Sequence, residues 1–405
     1  MIKNIIKLGW KNVWRNPTRS GVVIIAVLLG TWAGVFLSAF FTGMVQGYLE
    51  DQFHLTVPHI EISHPEFEDL YNPEYYIPQA ENVLTNLEEK PYTTDLSTQS
   101  LASGLAQSAR NSYGVTIRGI IPDSTHSVEN YLINGSMPAE QYRNPVIIGS
   151  DLADRLGLAL KSRMVLNFQD TNGNITGGAF QVVGIFDSFS SVFDEGNVFV
   201  NRKDLNNLMG LDQQVHSIHL TLSDFSEADT HASQLQKEFP DLNITTWGEA
   251  APELKYTYEM TDLMMYIVMI IIIIALVFSI INTMLMAVLE RTRELGMLRA
   301  VGMNKSRVFS MVLYETIFLT MVGTPAGLFL SWLTISYYNS TGIDLGAFAE
   351  GMNAYGLSTV IYPSLPPIYY LNITLLIAVA ALLSAMYPAW KTLQLNPVEA
   401  IRKMN

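Results

Sequence analysis

Chemistry in this chain would have to be done by its histidines, by a glycine-and-lysine stretch, or by a cluster of charges next to an apolar run. The seven histidines (54, 59, 64, 126, 216, 219 and 231) include no H-E-x-x-H or comparable metal-ligand spacing. His216 and His219 fall on opposite faces of a predicted strand, so all seven read as ordinary surface or strand-edge residues. "GMLRAVGMNKS" (296–306) superficially resembles a phosphate loop. That loop needs Lys directly after its last glycine to reach the phosphates, and here Met303 and Asn304 separate Gly302 from Lys305. No G-x-S-x-G nucleophile elbow occurs, so no catalytic group is assigned.

What remains is "ERTRELGMLRAVGMNKSRVF" (290–309), which opens directly after an uncharged run. Leu295, Leu298, Val301 and Met303 recur at helical spacing, with Glu290, Arg291, Arg293, Glu294 and Arg299 around them. This predicts a short amphipathic helix whose apolar stripe needs a partner that so short a loop cannot contain. Its role would be mechanical rather than catalytic, a handle held by another protein.

The elements that carry this handle are membrane spans. Residues 20–49 and 263–289 hold no charge, and each exceeds the roughly 20 residues needed to cross about 30 Å of hydrocarbon. The predicted order is a cytoplasmic interfacial helix (1–19), span one (20–45), an outer domain (46–262), span two (263–289), the handle (290–307), span three (308–336), a short outer loop (337–370), span four (371–390) and a tail (391–405). Thirteen of the 24 basic residues sit in the first nineteen residues, the handle and the tail, whereas residues 46–262 carry 11 basic and 31 acidic residues. The positive-inside rule therefore puts both termini and the handle in the cytoplasm and the acidic domain outside. A net charge of −13, mostly external, excludes nucleic acid as a partner. The chain has no cysteine, so neither disulfides nor a lipid-modified N-terminal cysteine are expected on it.

Before the first span, Lys3, Lys7, Lys11, Arg15 and Arg19 follow a four-residue spacing that marks one face of an interfacial helix. Inside the spans, small residues recur every four positions: Ala26, Gly30, Gly34, Ser38 and Thr42 in the first, Gly323 and Gly327 around Pro325 in the third, and Ala381, Ala385 and Ala389 in the fourth. Such stripes allow close helix packing in lipid, here against spans of this chain or of another subunit. Glu315 is the single charge inside a span and is read as a structural residue that snorkels or pairs near the surface.

The outer segment alternates strand patterns (55–62, 113–120, 163–169, 178–186 and 215–222) with helical ones (78–90, 150–158 capped by Ser150, and 226–239). A strand–helix–strand unit opens it, a second closes it and a β-rich insert separates them. The fold class is thus an α-helical membrane protein with four transmembrane helices and a large extracytoplasmic α+β domain, a split ferredoxin-like lobe with a β-rich inserted lobe.

"LERTRELGMLRAVGMNKSRVF" with the following "YETIFLTMVGTPAGLFL" resembles the second-span exit, coupling helix and third span of the type VII ABC transporter permeases, the FtsX-like and MacB-like superfamily. "WKNVWRNPTRSGVVIIAVLLG", "PHIEISHPEF", "TIRGIIP" and "YPAWKTLQLNPVEAIR" extend the resemblance over nearly the whole chain, and the outer-domain phrases are most similar to the lipoprotein-releasing branch. The macrolide exporters of this superfamily usually carry a fused ATPase ahead of the first span, and the cell-division relatives a smaller outer domain. The resemblance implies a non-catalytic permease of a bacterial inner membrane that works by mechanotransmission. Two permease chains, identical or different, would pair with two copies of a cytoplasmic ABC ATPase that binds the ATP and Mg, the chain itself binding no cofactor. Each ATPase would grip Glu290, Arg291, Arg293, Glu294, Leu295, Gly296, Leu298, Arg299 and Gly302, while Ala26, Gly30, Gly34, Ser38, Gly323 and Gly327 pack the helices. The implied cargo is a lipoprotein taken from the outer leaflet and passed to a periplasmic carrier; the alternatives are export of another substrate and regulation of a cell-wall hydrolase.

Overall fold

The computed structural model describes residues 9–11, 13–15, 17–67, 72–121, 127–138, 142–354 and 357–393. It divides into a helical unit (residues up to 46, 259–344 and from 360) and an outer unit (47–258 and 345–359). Lys3, Lys7, Arg402 and Lys403, with most of the interfacial helix and of the tail, lie outside the described residues.

Among the described residues, four helices long and apolar enough to cross a membrane run over Pro17–Leu55, Pro252–Glu290, Lys305–Thr341 and Pro367–Leu393. The first two continue well past the uncharged runs that mark the spans. Nothing after Leu49 breaks the first helix until Pro58, and Pro252 suits the opening turn of the second, where its missing N–H costs nothing. The small residues set the spacing within this one chain. A Cβ on Gly30 would come within 2.5 Å of Leu276 Cδ1, and one on Gly34 within 3.1 Å of Met269 Sδ, both on the second long helix. Gly323 and Gly327 of the third long helix instead meet Val27 and Thr31 on an adjacent face of the first. Ser38 is buried and donates to the Gly34 carbonyl at 2.8 Å, and Ala26 is half-buried. In the short outer loop, whose conformation the sequence left unread, Ile343–Asp344 pairs with Val360–Ile361 and a short helix covers Ala349–Ala354.

The described residues of the outer unit form ten paired strands: β1 (Ile60–Ser63), β2 (Thr93–Gln107), β3 (Ser112–Ile120), β4 (Leu132–Gly135), β5 (Pro145–Gly149), β6 (Arg163–Gln169), β7 (Ile175–Phe186), β8 (Asn197–Asn201), β9 (Ser217–Leu222) and β10 (Asn243–Thr246). β10, β1, β9 and the first half of β2 form an antiparallel sheet in that order. β1 reaches β2 through the helix Ala80–Glu88, and β9 reaches β10 through Ala228–Glu238, so two β-α-β units interleave. The second half of β2 joins β3, β8, β5, β7 and β6, and β6 returns to β2, closing a six-stranded barrel. Its core is what period-two patterning dictates: Val115 and Ile117, Val146 and Ile148, Met164, Leu166 and Phe168, Phe180 and Val182, Val198 and Val200 are all buried together.

Three sequence readings change here. Of "LTVPHIEI", Leu55 still belongs to the first long helix and the strand starts only at Ile60, because Pro58 donates no ladder bond. Gly149, not Ser150, stands at the N-cap of Ser150–Leu156; the Ser150 hydroxyl donates to Asp187 Oδ1 at 2.8 Å. His216 is no surface residue. It is fully buried, stacked on Phe67 with centroids 4.8 Å apart, and its Nδ1 accepts the Leu101 N–H at 3.0 Å while Nε2 lies 3.2 Å from the Pro73 carbonyl.

Candidate coupling site

The chain leaves the second long helix at Glu290, turns at Arg291 and forms the short helix Thr292–Ala300. Gly302 ends that helix with φ +100°, a left-handed conformation that glycine adopts without steric cost, and no atom crowds the position. Asn304 then caps the third long helix by accepting the Ser306 N–H. Two tight turns thus fix the short helix at both ends.

One side of the short helix is anchored. Leu295 and Gly296 are buried, and Leu295 packs with Met284, Val288, Val308, Met311 and Val312 in the core of the helical unit. Arg291 Nη1 donates to both carboxylate oxygens of Glu315 at 3.2 and 3.3 Å, with side-chain exposures of only 14% and 4%. Arg291 Nε also donates to Glu294 at 3.2 Å, and Arg15 pairs with the same Glu294 carboxylate. Burial works against the Glu294 charge, but Arg291 and Arg15 prevail and hold its carboxyl below the usual range. The helical residues around Arg15 are themselves docked: Val13 is fully buried and Trp10 meets Phe318 edge-on at 5.3 Å. A chain of charges, Arg15–Glu294–Arg291–Glu315, therefore links the residues before the first long helix, the short helix and the third long helix.

The other side is open. Met297 is 47% exposed, Leu298 37% and Val301 89%, three apolar side chains on one turn and a half of helix. Glu290 and Arg293 are exposed and Arg299 is half-buried. The stripe read from the sequence is thus divided: Leu295 faces the bundle, Met303 is half-buried against it, and Leu298 and Val301 face out. Sequence reasoning missed Met297, and it read Glu315 as a structural residue that snorkels or pairs near the surface without naming Arg291. The available signal was Arg291 itself, the first base after an uncharged run, able to reach the single acid inside a span.

Residues 20–238 match the family model "MacB-like periplasmic core domain", and residues 266–397 match "FtsX-like permease C-terminal". The lipoprotein-releasing system transmembrane protein LolC of Haemophilus influenzae is 22% identical over 390 residues, covering 93% of this chain and 92% of its own length. Its counterpart from Neisseria meningitidis serogroup B is 23% identical over 406 residues, covering 94% and 93%. Among solved structures, the periplasmic region of MacB from Actinobacillus actinomycetemcomitans aligns with 51% of this chain and 97% of its own, at a TM-score of 0.35 and 15% identity.

Proposed function

With more than half of its length matched by the MacB-like periplasmic core model, the chain belongs to the ABC transporter permeases of the FtsX-like and MacB-like type, and from that membership we propose that it extracts lipoproteins from the outer leaflet of a bacterial inner membrane. The observation that carries the mechanical part is the two-sidedness of the short helix Thr292–Ala300. Met297, Leu298 and Val301 offer an apolar grip, while Leu295 and the Arg291–Glu315 pair tie the opposite side to the bundle. A cytoplasmic ATPase holding the outward face would move the second and third long helices with it, because the loop between them is not slack.

The cargo class follows from what the helices lack. Between the helix ends, the one acid within a span, Glu315, is paired with Arg291. A hydrophilic substrate drawn through the bundle would lose its hydration without compensating groups, whereas an acyl chain moves between apolar surroundings at little cost. The near full-length similarity to LolC proteins points the same way. We read the antiparallel 4-1-3-2 sheet of the outer unit as the ferredoxin-like lobe, held in the periplasm with both termini cytoplasmic, two permease chains and two ATPase subunits forming the complex and a soluble carrier receiving the product.

Two experiments test this. Purified complex in proteoliposomes should release a lipoprotein only with ATP and a soluble acceptor, and depleted cells should retain lipoproteins in the inner membrane. Normal lipoprotein sorting with defective wall hydrolysis would transfer the assignment to a hydrolase regulator. For orientation, single cysteines at Asp170 and Asn304 of this cysteine-free chain should separate cleanly. An impermeant thiol reagent should label position 170 in intact cells, and labelling of 304 would reverse the topology.

A further inference from the structure

Asn282 is a polar side chain on the outside of the second long helix. It lies in the uncharged run that ends at Leu289, and the nearest charge toward the handle, Glu290, is eight residues or about 12 Å away. The side chain is exposed and stands between Phe278 and Met286, themselves 68 and 58% exposed, whereas Leu276, Ile280 and Met284 make the face that packs into the bundle. Its amide therefore faces hydrocarbon. Four hydroxyls in the spans are satisfied from within, since Ser38, Thr283, Ser331 and Ser384 each donate to the carbonyl four residues earlier at 2.6 to 2.8 Å. Asn282 makes no side-chain hydrogen bond among the described residues. An amide there is costly to leave unpaired, and its stem is too short to reach water as Lys or Arg does.

The residues around it form a seam. Ile271, Ala275, Phe278, Asn282, Leu285 and Leu289 recur at alternating steps of four and three, and each is exposed or half-buried. That 3.5-residue period is the one along which two helices wrap left-handedly, the usual hand of helix packing in membranes, and Ala275 lets the backbones approach. In such a seam a single Asn fixes register and the number of helices, because only one alignment pairs its amide. The partner must offer a donor and an acceptor at the same depth in the membrane. A copy of the chain inserted with the same orientation, about a two-fold axis along the membrane normal, brings both: each Asn282 donates through Nδ2 and accepts through Oδ1. An acyl chain brings neither.

We propose that this seam takes the second long helix of a second copy of the chain, with the two Asn282 amides bonded to each other and setting the register. The inference rests on the pairing of permease chains proposed above and adds where they meet. It is independent of the cargo.

The full-length permease is expressed in membranes as two copies with different tags, each carrying one cysteine in this cysteine-free chain: Ala275→Cys on the seam, Ile270→Cys off it, or Leu375→Cys on the fourth long helix. Under copper phenanthroline, Ala275→Cys should give a disulfide product that holds both tags, at several-fold the yield of Ile270→Cys. Adding Asn282→Leu should lower that yield several-fold, and adding Asn282→Gln, which keeps the amide, should retain most of it; Asn282→Ala serves if the Leu variant fails to insert. An undiminished yield with Asn282→Leu, equal yields from positions 270 and 275, or a product joining the chain to a different protein each overturns the proposal. Two-tag products from Leu375→Cys with none from Ala275→Cys would overturn it while leaving the pairing of chains intact. No two-tag product from any position would remove the pairing itself.

Discussion

Glu315 shows how much one buried charge depends on its partner. Carboxylates are costly in a span, and this one is 3% exposed and paired with Arg291 at 3.2 Å. Breaking a buried pair typically costs about 3–5 kcal/mol, and here Glu294, which also accepts from Arg291, reduces the loss. Glu315→Ala should therefore lower the thermal stability of the detergent-purified permease sharply, and Glu315→Ala with Arg291→Met should recover most of the loss. Additive losses in that double-mutant cycle would mean that the two charges do not act as a pair. His216 gives a pH prediction of definite sign. Burial pulls its pKa from 6.5 down to about 4, so the unfolded chain takes up the proton first on acidification. The stabilising contribution is complete above pH 6.5 and is lost as pH falls toward 4, about 3 kcal/mol in all. His59, lowered to about 4 by burial, acts in the same direction, whereas Asp194, raised to about 6 by burial, acts in the opposite one. His216→Gln should thus flatten the fall in unfolding midpoint between pH 7 and 5; an unchanged slope would remove His216 from the account. His216 was not readable in the sequence. His216 looked like an edge residue because period-two alternation is blind to what a distant Phe67 and Pro73 cover.

At the scale of elements, apolar length revealed the four long helices, the third in spite of Glu315, since few sequences do anything else with such runs. β5 and β8, each five residues long and buried almost throughout, were missed for lack of alternation, whereas β1, β3, β6, β7 and β9 were legible. β2 was not, because the barrel takes Ala102, Gly104 and Ala106 on its inner face and small residues leave no hydrophobic period. At Gly104 the reason is physical: a Cβ there would lie 2.4 Å from the Asn167 carbonyl oxygen and 3.1 Å from Phe168 Cβ. The glycine stripes were read as packing devices, but spacing could not say which helix each would meet. Their contacts now rank them. At Gly327 an added Cβ meets backbone, 2.7 Å from the Leu28 carbonyl oxygen, and the helices must separate. At Gly30 it meets the far end of Leu276, which another rotamer can withdraw. Gly327→Ala should cost about 1–3 kcal/mol, the range for overpacked cores, and Gly30→Ala clearly less. Melting of the two variants in detergent decides this, and the reverse order would mean that the first and third long helices do not meet at Gly327.

At the scale of the whole molecule, the glycine stripes are already used within one chain, so the second permease chain proposed above would have to meet another surface. The four long helices are unequally enclosed: over their most apolar windows 39, 22, 39 and 33% is buried, in chain order, and the second is the barest. Its outward residues Ile267, Ile270, Ile271, Ile274 and Phe278 are 44 to 68% exposed and recur at helical spacing along one face. An apolar face is at home in lipid and is no proof of a partner, since hydrocarbon solvates it as well as another helix does. The second long helix also leads straight into the coupling site, however, through Glu290 and Arg291. Two chains that met along it would bring both handles under one pair of ATPases, so that closing those subunits would act on both outer units together. A two-fold pair places the same patch on each chain, and a residue near the axis faces its own counterpart or the matching residue of a related chain. Benzoylphenylalanine at Ile271 should therefore yield, on irradiation of membranes, a product of about twice the 45.2 kDa chain mass that contains two permease chains by mass spectrometry. Crosslinks arising instead from Leu375 and Leu383 of the fourth helix, with none from Ile271, would move the pairing surface to the opposite end of the chain and uncouple it from the handle.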